Sequence, residues 1–348
     1  MKKQILIALF FMAPAFALFA QDEFKPSGSG IGTVFFNYKY DLTEDVDQKS
    51  SFNLERAYLG YKYDFAKNLS ARVIFDVGYD GTTKQFSAFA KNAFVDWAMC
   101  SHFKLSVGLI PIKHYDLQEK MWGYRYIMKP VADEYGMGTT ADLGVNGEIT
   151  VNEMLSFNAY FINGEGFKSI QDPFGIHKFG VNATVKPVVG LAFRLHYDMM
   201  PNKYPEAARS IELRDTCTIS VVSAFVGYEV KDKFRVGFDY NLMNNATRFT
   251  KYAEDYKLNA FSIFGTYIFN PNWEVFARFD NVSSNELEGS SVPWNANDGS
   301  LIMGGIQYKP IKNVNFALNY RTFIYKDSDD LYDQVNTSAI YLNLGLFF

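Results

Sequence analysis

Basic and acidic residues recur four positions apart along several segments of this chain, a spacing that could act on polar solutes. Side chains alternate between the two faces of a strand, so residues four apart share a face. Opposed rows of charge on one wall would create a transverse field that orients polar solutes without strongly favouring either ion sign. The same rows could instead be salt bridges that only keep the wall wetted. The pairs with this spacing are Arg72 and Asp76, Arg194 and Asp198, and Arg235 and Asp239.

The same alternation, applied to every segment, assigns a larger set of polar residues to one interior, pore-lining face. Its basic members and one histidine are Lys39, Arg56, Lys62, Arg72, Lys178, Arg194, His196, Arg235, Arg278 and Arg321. Its acidic members are Asp64, Asp76, Asp96, Asp142, Glu148, Asp198, Asp239, Glu274 and Asp280. The two signs nearly balance, which predicts weak ion selectivity at most.

A long segment, 114–140, combines charges with aromatic residues and is a second candidate site. Aromatic side chains beside charges suit a narrow constriction that contacts a solute by shape and polarity. Long loops in compact proteins are usually functional, which favours a loop folded into a pore over an external cap across its mouth. The predicted constriction residues are Glu119, Lys120, Trp122, Arg125, Lys129, Asp133 and Glu134.

Catalytic and metal-binding patterns are weak. Of the four histidines, only His196 has suggestive neighbours, Arg194 and Asp198, and no serine shares its strand face. The stretch 327–331 begins like a calcium loop but has Leu331 where an oxygen ligand is needed. We therefore expect no enzyme activity, metal or cofactor.

The elements that must position these residues are predicted to be strands. The last nine residues place Ile340, Leu342, Leu344, Leu346 and Phe348 at alternate positions and end on an aromatic ring. This pattern is typical of the closing strand of an outer-membrane β-barrel. Similar period-two segments, about sixteen in all, run through the chain and predict an all-β, transmembrane, antiparallel barrel. An even count suits such barrels.

The connections between the predicted strands alternate between short and long. Outer-membrane barrels have short periplasmic turns and long external loops, so this rhythm predicts that both termini are periplasmic. In segments such as 190–198 one face is apolar and the other charged. A charge at the lipid midplane costs about 2–4 kcal/mol, so the charged face must line the lumen.

The start and the composition of the chain agree with a membrane barrel. Lys2 and Lys3 precede an apolar run that ends in small residues, which predicts a signal peptide over 1–20, with cleavage after Ala17 as an alternative to Ala20. A lead over 21–29 and a barrel over 30–348 would follow.

Aromatic residues make up 17% of the chain, and the net charge of −4 gives no indication of nucleic-acid binding. Cys100 and Cys217 are predicted to be free thiols at opposite ends of the barrel.

Three stretches carry a family resemblance. The segments 108–113 (GLIPIK), 122–127 (WGYRYI) and 133–145 (DEYGMGTTADLGV) resemble porins of the phosphate-selective O and P type, particularly those of Bacteroidetes. The resemblance implies a sixteen-stranded, trimeric outer-membrane channel. Selective members of that family concentrate lysines at the constriction. Here the bases Lys120, Arg125 and Lys129 are matched by the acids Glu119, Asp133 and Glu134.

The sequence therefore predicts a passive porin in the bacterial outer membrane for small hydrophilic solutes or ions, at most weakly selective. Its partners would be outer-membrane lipid and two further copies of the chain. Two alternatives stay open. One is a phosphate-selective or anion-selective porin, and the other is a closed barrel that serves as a surface binding or structural protein.

Overall fold

The structure is a computed structural model, and it describes residues 24–44, 46–80, 84–171, 175–201, 218–246, 255–326 and 334–348. The predicted signal peptide over 1–20 and Cys217 lie outside these residues. Cys100 lies in an exposed turn and is a free thiol.

The described residues form sixteen strands and two short helices. In chain order these elements are β1 (Ser27–Asp41), β2 (Ser50–Ala66), β3 (Leu69–Asp80), β4 (Gln85–Ala98), β5 (Phe103–Pro111), α1 (Asp116–Trp122), α2 (Val131–Glu134), β6 (Ala141–Thr150), β7 (Leu155–Ile162), β8 (Lys178–Val188), β9 (Leu191–Met200), β10 (Ile219–Val230), β11 (Phe234–Asn244), β12 (Leu258–Asn270), β13 (Trp273–Ser284), β14 (Gly299–Ile311), β15 (Val314–Tyr325) and β16 (Thr337–Phe347). Each strand pairs with its sequence neighbours, and β1 also pairs with β16, so the sheet is a closed barrel. The predicted fold is confirmed.

The first and last strands close the barrel in antiparallel register. Thr33 lies opposite Phe347, and Gly32 and Phe348 exchange backbone hydrogen bonds of 2.5 and 2.8 Å. The first strand begins at Ser27, so its start overlaps the predicted lead over 21–29. The ring of Tyr61 lies against the backbone of this extension at Gly28. A Cβ atom there would lie 2.1 Å from the hydroxyl of Tyr61.

Alternate residues of each strand face opposite environments, as β9 illustrates. Phe193, Leu195 and Tyr197 are 40–65% exposed on the outer face, whereas Arg194 and His196 between them are 7% and 3% exposed. An aromatic and aliphatic exterior with a polar interior is the arrangement expected of a barrel embedded in lipid. Among the described residues, no helix is both long enough and apolar enough to cross a bilayer.

The turns at one end of the barrel are short, including 67–68 between β2 and β3 and 231–233 between β10 and β11. The described ends of the chain lie at this end, since Ser27 pairs with Asp64 beside the turn after β2. The fully described connection 285–298 between β13 and β14 is long and lies at the opposite end.

The segment between β5 and β6 does not leave the barrel. It contains α1 and α2, and α1 contacts β10 and β11 while α2 contacts β12. These contacts place the segment, hereafter the inner loop (112–140), inside the lumen and exclude the external cap. Gly123 ends α1 in the left-handed conformation (φ 76°), where its N–H donates to the carbonyl of Glu119 at 2.9 Å.

Candidate pore constriction

Aromatic side chains fix the inner loop to the far wall of the barrel. Trp122, Tyr124 and Tyr126 are at most 2% exposed and pack in one cluster with wall residues that include Phe264 and Phe276. The Trp122 and Phe264 ring centroids are 5.4 Å apart, and those of Tyr124 and Phe276 are 4.4 Å apart. The sequence pattern placed Trp122 at the constriction surface, but its burial makes it an anchor of the loop.

This packing explains strands whose sequences are apolar on both faces. In β10 the inward residues include Val221 and Phe225, and in β14 they include Leu301 and Met303, all of them buried. Their inner faces contact protein instead of water, because the inner loop and its flanking elements cover them. Where the loop covers these two strands, their inward side chains are therefore mostly apolar, and their sequences no longer alternate between apolar and polar residues.

Hydrogen bonds from two tyrosines of the inner loop orient it against the wall, in addition to the apolar contact. Tyr124 donates its hydroxyl to Glu274 of β13 at 2.7 Å, and Tyr126 donates to Gln307 of β14 at 2.8 Å. Opposite Tyr126, β16 has Gly345, where a Cβ atom would lie 2.8 Å from Cγ of the ring. The wall at this point is shaped to accept the tyrosine.

Arg278 holds the middle of the loop. It forms a bidentate pair with Asp280 (2.8 and 2.6 Å) and donates to the backbone carbonyl of Lys129 at 2.6 Å. Its guanidinium also lies 5.2 Å from the ring centroid of Trp122. The loop is therefore fixed by charge-assisted hydrogen bonds as well as by apolar burial.

The start of the loop is anchored on β9 and β10. Arg194 pairs with Asp116, and the rings of His114 and His196 stack with centroids 3.9 Å apart. His114 Nε2 lies 2.8 Å from the hydroxyl of Ser223. Burial, together with the neighbouring His196, holds the pKa of His114 well below its usual value.

The same region contains a group of possible metal ligands, although no metal was expected from the sequence. Ligand atoms of His114, His196 and Asp198 lie within 4.8 Å of one another. Asp198 is already engaged, since it accepts from Tyr160 at 3.0 Å and lies 3.8 Å from Lys178 Nζ. The stacked rings are nearly parallel, at 14°, which is a poor arrangement for two imidazoles around one ion. The group therefore serves as an anchor of the inner loop.

Besides Asp76, nine residues that the alternation assigned to the pore lining thus have another role. All nine face inward, but they are 7% exposed or less, because the inner loop and neighbouring side chains cover them. They contact protein groups instead of the aqueous passage. These residues are Asp142, Lys178, Arg194, His196, Asp198, Asp239, Glu274, Arg278 and Asp280.

A gap lies on the opposite side, between the inner loop and the wall formed by β1, β2, β4 and β5. A cavity of about 340 Å³, the constriction cavity, is bounded there by Glu119 and Arg125 of the loop and by Tyr58 and Lys91 of the wall. Arg125 contacts Glu119 at 3.2 Å and Asp133 at 3.6 Å. Lys91 donates to the hydroxyl of Tyr58 at 2.7 Å.

Lys91 was missed because strict alternation fails in β4. Asn92 pairs with Ile74 but Ala90 pairs with Phe75, so Lys91 is the extra residue of a β-bulge. A bulge turns two successive side chains to one face, and both Lys91 and Asn92 border the constriction cavity. The sequence held one indication of it. Strict alternation would have placed the Lys91 charge in lipid at a cost of about 2–4 kcal/mol.

A neighbouring cavity of about 410 Å³, the wall cavity, lies beside β2, β3 and β4 toward the long-loop end. Arg56, which lines it, pairs with Asp76 at 2.5 Å. Lys129 of the inner loop and Lys168 of the β7–β8 connection also border it. A second bulge, at Glu55 of β2, adds that carboxylate to the lining.

The other predicted residues occupy separate places in the lumen. Most are paired, as the alternative of wall salt bridges predicted. Lys39 contacts Asp41 at 2.6 Å, Lys62 contacts Asp64 at 2.8 Å, and Arg235 contacts Glu274 at 3.2 Å. Arg72 lies 5.8 Å from the ring of Phe94, and Arg321 lies 3.9 Å from that of Tyr341. Lys120 and Glu134 border two further cavities away from the constriction.

No protein-family model matches the chain, and no curated protein sequence matches it. Solved structures do. The outer membrane channel DcaP of Acinetobacter baumannii has a TM-score of 0.65 at 12% identity, over 93% of this chain and 97% of that one. OmpF of Salmonella typhi, in complex with daunomycin, has a TM-score of 0.66 at 15% identity, over 92% and 97%.

An anion-selective porin from Comamonas acidovorans is also similar, with a TM-score of 0.64 at 13% identity, over 93% of this chain and all of that one (100%). At such low identity these similarities establish the barrel fold alone. They say nothing of which solute this chain handles.

Proposed function

We propose that this protein is a passive channel of the bacterial outer membrane for small hydrophilic solutes and ions. The observation that carries the proposal is a closed barrel with an apolar exterior whose inner loop leaves a charge-lined gap along one wall. A gap bordered by Glu119, Arg125 and Lys91 is narrow and carries charges of both signs, which suits diffusion of small polar solutes.

The proposal extends to location and assembly. An exterior of exposed aliphatic and aromatic residues matches lipid, and the short-turn end, which holds both described chain ends, would face the periplasm. A signal peptide over 1–20 would direct the chain there. We also propose a homotrimer, as the resemblance to porins of the O and P type implies. No catalytic role is assigned, because the close pair of His114 and Ser223 is buried between the inner loop and β10.

Weak selectivity is proposed because most charges near the constriction are paired. Arg56 with Asp76 and Arg125 with Glu119 present nearly neutral groups to a passing ion. A phosphate-selective channel would need a larger excess of unpaired bases than the cavities contain. The resemblance to the phosphate-selective O and P type in particular therefore stays a prediction from the sequence.

A mild anion preference is the second candidate, and one observation favours it. Among the residues that the structure describes, Lys91, Lys129 and Lys168 border the two cavities without forming an ion pair with a carboxylate. These three ammonium groups would bias the passage toward anions, and the bias would weaken as salt increases.

Single-channel recording tests the proposal. The folded protein, inserted in a planar bilayer in KCl, is expected to give stable open steps. A correctly folded barrel that stays silent would refute the proposed channel and favour the closed barrel with a surface binding role. The folded state is checked on the same preparation by its β-sheet circular dichroism.

A further inference from the structure

Aromatic rings and lysine ammonium groups alternate along the wall that faces the inner loop. The Nζ atom of Lys168 lies 4.9 Å from the ring centroid of Phe89. That of Lys91 lies 5.5 Å from the centroid of Phe167 and 4.4 Å from that of Tyr58. The row continues from the wall cavity, which Phe89 and Lys168 border, to the constriction cavity, which Lys91 and Tyr58 border.

The rings of this row are unexpected in an aqueous lumen. Some inward aromatic residues, such as Phe225 and Phe264, are buried under the inner loop. Phe89 and Tyr58 instead border open cavities on the uncovered side. An inorganic anion gains little from an aromatic face, whereas an organic ring stacks on it favourably.

The charged side chains that border the wall cavity determine which sign and how many charges a bound ligand should carry. In the wall cavity Arg56 is neutralised by Asp76, while Lys129 and Lys168 have no carboxylate partner among the described residues. Glu55 also borders the cavity and accepts a hydrogen bond from Asn37 at 2.6 Å. Its negative charge leaves a small net positive charge, which suits a monoanion better than a multiply charged anion.

From these observations we propose that the wall cavity binds small organic monoanions with an apolar or aromatic body, such as aromatic carboxylates, on their way to the constriction. Its volume of about 410 Å³ falls within the range of small-molecule sites. The carboxylate would contact Lys168 and Lys129, and the ring would lie against Phe89. This inference rests on the proposed channel function and names a solute class for it.

Benzoate is the probe, and three comparison compounds separate the contribution of its ring from that of its charge. Acetate has the charge without the ring, benzyl alcohol has the ring without the charge, and inorganic phosphate has more charge and no ring. Benzoate added at the long-loop side is expected to interrupt the KCl current at a lower concentration than any of the three. Equal potency of benzoate and acetate, or of benzoate and benzyl alcohol, would overturn the proposal.

Variants locate the effect. Lys168→Gln is expected to weaken benzoate block about fivefold, the effect of one charge about 4 Å away in water. Phe89→Leu keeps an apolar side chain but removes the ring, and is expected to weaken block about twofold to tenfold. Lys186→Gln removes a lumen charge at the short-turn end and should leave block unchanged. Unchanged block in both Lys168→Gln and Phe89→Leu would contradict the site.

Calorimetric titration of benzoate into the detergent-solubilised protein separates this inference from the channel function. Binding that depends on Lys168, in a protein that gives no open steps, would retain the site and refute the channel. Open steps without benzoate binding would retain the channel and refute the site.

Discussion

Replacing Lys91 tests whether the bulge in β4 sets the ion preference of the constriction. Lys91 is the wall base nearest the gap, and its ammonium forms no ion pair among the described residues. A sphere with the 340 Å³ volume of the constriction cavity has a radius of about 4 Å, and unit charges at that separation in water interact by about 1 kcal/mol. Because about 1.4 kcal/mol corresponds to a tenfold change, Lys91 should raise anion occupancy roughly fivefold.

Salt reduces this figure, since the screening length is about 8 Å at 0.15 M. We therefore expect Lys91→Gln to lower the anion-to-cation permeability ratio by about twofold to fivefold, and Lys91→Glu to lower it further. The assay is the reversal potential of many inserted channels under a KCl gradient, measured at low and at physiological salt. The matched control is Lys312→Gln, an exposed base in the β14–β15 turn. A Lys91→Gln reversal potential equal to that of the unmodified protein, at both salt concentrations, would refute the reasoning.

Three further perturbations address the inner loop. Arg125→Glu should shift the reversal potential toward cations, and no shift would show that its charge does not face the passage. Gly345→Ala should crowd the ring of Tyr126, lower stability by about 1–3 kcal/mol and increase current noise, as a melting curve and the recordings will show. The lowered pKa of His114 means that the unfolded chain takes up its proton first. Loop stability should therefore fall as pH drops below about 6.5, and His114→Gln, recorded over the same pH range, should remove that dependence.

Local sequence determined the wall of the barrel. Successive side chains of a strand point to opposite faces, which gives a period of two residues. The alternation at 190–198 and at 340–348 therefore depends only on which face meets lipid and which meets water. The turns were likewise predictable, because short polar segments interrupt the alternation. Strand number, closure and the inward direction of residues such as Arg56 and Asp198 were therefore predictable from the chain.

The tertiary structure alone decided which inward residues meet water. Arg194 and Arg278 have the same alternation as Arg56, yet the inner loop covers the first two, and burial by a distant segment leaves no local pattern. Lys91 reached the lumen through one inserted residue that shifts the alternation of its strand. The constriction arises from contacts between residues far apart in sequence, such as Tyr124 with Glu274, because a closed barrel brings every strand within reach of a loop inside it.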